Sequence, residues 1–128
     1  MNNKGQSLAL FVVLLPVLLL LLVLIIDVGK LIILKLELNN ISEIVLDYGL
    51  EHLEDETLYS DLTKLVKMNK NDIDNVNIEF KEDKIYLKLS HSNETLFKNV
   101  INIVDFKIET SYVGYMLDDK KRIERLGD

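Results

Sequence analysis

Acid–base, metal or nucleophilic chemistry has few residues to work with in this sequence, which holds two histidines and no cysteine. His52 and Glu56 are four apart, the spacing at which two ligands meet on one helix face. One such pair is common by chance, and with Glu51, Glu54 and Asp55 around it the segment reads as a solvated acidic helix end. His91 opens a polar stretch, His91-Ser92-Asn93-Glu94-Thr95, which reads as a surface turn with Ser92 or Asn93 capping a following helix. Asn93-Glu94-Thr95 matches a glycosylation sequon, which carries little weight without a eukaryotic secretory context. No glycine-rich phosphate loop and no serine–histidine–aspartate arrangement is present, and without cysteine there is neither a disulfide nor a thiolate zinc site. The residues predict no enzyme, no metal site, no cofactor and no small-molecule substrate.

What dominates the sequence is physical rather than catalytic. Leu8 to Ile26 is a run of nineteen residues without a charge, broken only by Ala9 and Pro16 among Leu, Ile, Val and Phe. As a helix it measures roughly 28 Å, close to the hydrocarbon thickness of a bilayer. At about −0.3 to −0.6 kcal/mol per such residue, insertion is favourable. A cleavable signal peptide has a shorter apolar core and a small-residue cleavage site. Here the run passes directly into Asp27-Val28-Gly29-Lys30, so it reads as a retained anchor in the lipid bilayer.

Lys4 on one side faces Lys30 and Lys35 on the other, a weak charge bias. The short polar segment before the span favours a cytoplasmic N-terminus. Asp27, at the lipid boundary, reads as a stop to the apolar span, with pairing to a partner's lysine as the alternative. Pro16 and Gly29 are the places where the helix is expected to bend.

The remainder is one small domain. From residue 27 onward there are 14 basic and 21 acidic residues, a net charge of −7 with no basic stripe, which argues against nucleic acid as a partner. Leu31, Leu34, Leu38, Ile41, Val45 and Tyr48 continue at spacings of three and four, so one helix from about Gln6 to about Glu54 is expected. Its outer stripe either packs on the chain's own sheet, the preferred reading, or leaves Leu31, Leu34 and Leu38 near the membrane for partner contact. Leu58, Leu62, Leu65 and Met68 predict a second helix.

The period then changes to two. Val76, Ile78 and Phe80 form one run, and Ile85, Leu87 and Leu89 another, joined as a hairpin at Glu82-Asp83. Leu96, Phe97, Val100, Ile101 and Val104 have helical spacing, and Phe106, Ile108, Thr110 and Tyr112 form a third alternating run. The tail from Asp118 to Asp128 is charged and reads as a frayed helix or disorder. The fold class is α+β: a long N-terminal transmembrane helix continuing into a small domain with an antiparallel three-stranded sheet. The divisions are a leader at 1–5, the anchor at 6–30, the domain at 31–117 and the tail at 118–128.

Gly5-Gln6-Ser7-Leu8-Ala9-Leu10-Phe11, with Leu15-Pro16 and Ile26-Asp27-Val28-Gly29, resembles the N-terminus of the TadE/TadG-like proteins of the tight-adherence (Flp) type IV pilus assembly system. The resemblance covers residues 5–30, and the rest of the chain follows by architecture alone. It implies a minor pilin-like or pilus-assembly protein of the cell membrane, single-pass, with a pilin-like domain outside the cytoplasm. Its implied partners are other TadE/TadG-like or pilin subunits and the pilus assembly platform. In processed members a prepilin peptidase cuts after the leader glycine, which here is Gly5, leaving Gln6 first. Leu10 stands where those members usually carry a glutamate, which brings the chain nearer the unprocessed TadG-like members; both outcomes stay open. A membrane-tethered extracytoplasmic sensor or ligand-binding module is the competing reading.

Overall fold

The computed structural model describes residues 3–93 and 106–127. Helix α1 spans Asn3–Glu51 as one unbroken element, and α2 spans Leu58–Asn69. Four strands follow: β1 Asn75–Lys81, β2 Lys84–Asn93, β3 Phe106–Leu117 and β4 Lys120–Arg125. They form an antiparallel meander in the order β1-β2-β3-β4. The α+β class and the long apolar N-terminal helix are as the sequence predicts. The sheet has four strands and not three, because the segment read as a frayed or disordered tail forms β4.

The reason lies in what an edge strand needs. β4 contributes one half-buried apolar side chain, Ile123, and otherwise carries charges, so it has no hydrophobic signature. Backbone pairing with β3 and an edge lined with lysine and arginine suffice, and such charge also discourages edge-to-edge association. The helix predicted over Leu96–Val104 lies outside the described residues.

Both described hairpin turns use acidic pairs. Lys81 pairs with Lys84 and Leu117 with Lys120, leaving the two-residue loops Glu82-Asp83 and Asp118-Asp119. All four loop residues have positive φ, between 52° and 64°, as a type I′ turn requires. Aspartate tolerates this region better than most residues, because its short side chain bonds locally to the backbone.

The second half of α1 lies across the sheet. Leu34, Leu38, Ile41, Val45, Leu46 and Leu50 are buried against Ile78 of β1, Ile85, Leu87 and Leu89 of β2 and Tyr112 of β3. Helix α2 closes one side with Leu58, Leu62 and Val66. Two glycines allow the close approach. A Cβ on Gly49 would lie 2.9 Å from Ile85 Cδ1 and 3.3 Å from a Leu62 methyl; one on Gly114 would lie 3.4 Å from Leu46 and Leu50. Where helix and sheet meet, the buried Ser42 hydroxyl donates to the Leu38 carbonyl at 2.8 Å and stands 3.4 Å from the Thr110 hydroxyl. That arrangement leaves Thr110 to donate to Ser42, so both polar groups are satisfied inside the core.

Helix α1 stops at Glu51, three residues before the predicted end. The His52 Nδ1 lies 2.8 Å from the Tyr48 carbonyl and the imidazole stacks on the Tyr48 ring at 4.0 Å, covering an end whose last carbonyls lack helical partners. His52 therefore sits beyond the helix, and its four-residue spacing to Glu56 no longer places the two on one helical face.

Candidate functional site

Among the described residues, the apolar first half of α1 is the largest surface left unburied by the fold. It is the one helix among the described residues long and apolar enough to cross a membrane, and none of its most apolar eighteen-residue window is buried within the chain. A core helix of a water-soluble domain would bury that surface. Gly5 and Gln6 lie exposed in the first turns of α1, so a protease acting between them needs this end to unwind. The helix runs through both Pro16 and Gly29 as a single element. Pro16 still lacks a backbone donor, which frees one carbonyl a turn earlier.

Asp27 differs from its surroundings. Its side chain is 4 % exposed while Ile26 and Val28 on either side are each 45 % exposed, and it is partnered within the chain. A buried carboxylate needs such partnering, because removal from water without it costs several kcal/mol. Asp27 thus faces inward, on the same side of α1 as Leu34 and Leu38. Of the three residues offered for partner contact, Leu34 and Leu38 belong to the chain's own core and Leu31 is half-buried. The stripe follows the first of its two readings and packs on the sheet.

A second cluster sits where the α2–β1 connection meets β2. His91 is not in a surface turn, because β2 continues to Asn93 and pairs His91 with Ile108. The β1–β2 register, Asn75 opposite Ser90, brings Asp72 and Asp74 alongside it. The His91 imidazole is largely buried, with Nε2 3.9 Å from Asp72 and Nδ1 3.8 Å from Asp74, both longer than a hydrogen bond. The Ser92 backbone N–H donates to Asp74 at 2.7 Å and holds that carboxyl below its usual range. For Asp72, partial burial pushes the pKa up, but the Lys70 ammonium at 3.4 Å overcomes it and brings the carboxyl below its usual range. Lys70 also reaches Glu37 of α1 at 3.5 Å. The cluster ties α1, the connection and β2 together. No sequence signal marks it, since its members meet only through strand register. Among the described residues no group of three histidine or acidic side chains is arranged to hold a metal.

On the opposite edge, Lys121 of β4 donates to Glu51 and, at 3.0 Å, to Asp47, both on α1. The Glu51 bond first and the Asp47 bond second raise the lysine pKa. The Tyr115 hydroxyl donates to Glu124 at 2.9 Å, which raises the phenol pKa, and Lys84 lies over the ring at 4.9 Å. At the end of the domain far from the span, a cleft of about 670 Å³ opens between the α1–α2 connection and the β1–β2 turn. Tyr59 and Phe80 supply apolar walls, and Asp55, Glu56, Asp83, Lys81 and Lys84 supply mixed charge. Comparison with protein-family models, with curated proteins and with solved structures finds no match to this chain.

Proposed function

We propose that this chain is a non-enzymatic, single-pass protein of the cell membrane that acts by assembly, as a minor pilin-like subunit or an assembly factor of a tight-adherence (Flp) type pilus or secretion apparatus. The N-terminus is cytoplasmic and the sheet domain extracytoplasmic. One observation carries the reading: a single 49-residue helix is lipid-suited in its first half and forms the core of a four-stranded domain in its second. No flexible linker separates the two, so force or position in the membrane is transmitted to the domain. A tether for a freely reorienting receptor needs no such rigidity. The Gly5-Gln6 start, Leu15-Pro16 and Asp27-Val28-Gly29 supply the family-like part of the argument.

The testing experiment is affinity capture from detergent-extracted membranes, combined with intact mass in the presence of a cognate prepilin peptidase. Co-capture of other anchored pilin-like subunits or of the assembly platform supports the reading. A shortened mass starting at Gln6 selects filament entry, and an unshortened mass selects a permanent assembly factor. Capture of the chain alone, with assembly unaffected when residues 8–26 are replaced by an unrelated leucine helix, overturns it. The distal cleft favours the second reading, a tethered ligand-binding module, for which domain function survives that same replacement.

A further inference from the structure

We infer that lipid contact on α1 does not end at Asp27 but continues on one face to Leu36, so that the domain is seated against the bilayer rather than held clear of it. This rests on the membrane reading of α1. Beyond Ile26 the two sides of the helix separate. The inner side carries Asp27, Leu34, Leu38, Ile41 and Val45, all buried within the chain. The outer side carries Ile25, Gly29, the adjacent pair Ile32 and Ile33, and Leu36, which recur at helical spacing. Ile32, Ile33 and Leu36 are 56 %, 66 % and 56 % exposed, and the space beside Gly29 is open. The next residues on that outer side are Asn40, Glu43 and Asp47, all exposed, with Ile44 the one exposed apolar residue beside them, so the continuous apolar face ends between Leu36 and Asn40.

Lipid is the occupant that fits. The face continues the Leu8–Ile26 span without a break, and from Leu8 to Leu36 it measures about 43 Å, against about 30 Å of hydrocarbon and about 40–45 Å with both interfacial layers. Its side chains are aliphatic and offer no polar group to specify a protein partner. Lys30, beside this face and exposed, has a stem long enough to carry its ammonium outward to the head groups. The inward turn of Asp27 follows from the same geometry: a carboxylate at that depth is kept from lipid by the domain folded against it.

The chain contains no tryptophan, so a single introduced tryptophan reports its own position. The full chain is reconstituted in phosphatidylcholine vesicles as L18W, I32W, L36W and D47W. Each is then measured with acyl-brominated lipid and with aqueous iodide. The expected result is loss of most emission to brominated lipid for L18W, I32W and L36W with little iodide quenching, and the reverse for D47W. If L18W is quenched by brominated lipid while I32W and L36W respond to iodide, the inference is overturned and the membrane reading stands. Protection of I32W and L36W from both quenchers also overturns it, in favour of a second copy covering the face. If L18W itself escapes brominated lipid, the membrane reading fails first.

Discussion

The two halves of α1 are built from similar residues and live in opposite circumstances. Before Asp27 nearly every leucine and valine is exposed within the chain; from Leu38 to Leu50 the leucines and the valine of the same helix are buried against a sheet. Burial in the second half is driven by water, and each side chain there is fixed by shape against named neighbours. The first half is apolar all round, as suits a membrane span, and an apolar helix in lipid gains little from contact with another. Identical chemistry therefore specifies packing in one half and only location in the other.

The largest expected break in that contrast is a truncation on each side. Leu46→Ala leaves a cavity under the sheet and should lower domain stability by about 2–5 kcal/mol. Leu20→Ala should change it by less than about 0.5 kcal/mol, as for a site that touches nothing in the domain. Denaturant titration in detergent, followed by near-ultraviolet circular dichroism of the tyrosines, measures both. Equal losses would mean that the span is part of the folding unit.

The glycines sharpen the contrast further. Gly29→Ala meets open space and should stabilise α1 by up to about 1 kcal/mol through helix propensity. Gly49→Ala places its methyl against Ile85 and Leu62, where overpacking typically costs about 1–3 kcal/mol and offsets that gain. Thermal melts of the two variants should shift in opposite directions. A smaller effect is expected at the turns. Asp119→Gly relieves a positive φ in the exposed β3–β4 turn, and should stabilise by about 0.5–1 kcal/mol, read from the melting midpoint.

The smallest effect is a pH dependence confined to the sheet edge. The pKa values of Lys121 and Tyr115 are raised in the fold, so their contribution is complete below their ordinary values and is lost as pH rises through the raised ones. Corrected for the base catalysis common to all amides, the exchange protection of β4 should fall above about pH 10, with that of the first half of α1 unchanged. Lys121→Met should remove part of that alkaline step. Asp72, Asp74 and Glu109 act in the other direction: their depressed pKa values give stability that is present above about pH 4 and lost on acidification.

Legibility followed the strength of periodic patterning. The stripe from Leu31 to Tyr48 and the alternation in Val76–Phe80 and Ile85–Leu89 announced their elements, because each buries one face. β4 was illegible because an edge strand is recruited by backbone pairing with β3, and Lys120-Lys121-Arg122 carries no apolar alternation. Ser92 and Asn93 have turn chemistry and so predict a turn at His91. Pairing with β3 overrode that local preference and carried β2 on to Asn93.

The sequence by itself determined the long apolar N-terminal helix, the α+β class and the inner face of that helix, since hydrophobic length and period act locally and do not depend on partners. Only the tertiary structure decided how far along α1 the sheet covers it, that Asp27 turns inward, and that Asp72, Asp74 and His91 meet. Those outcomes depend on strand register and on where the sheet lies along the helix. Both are set by contacts between residues far apart in the chain.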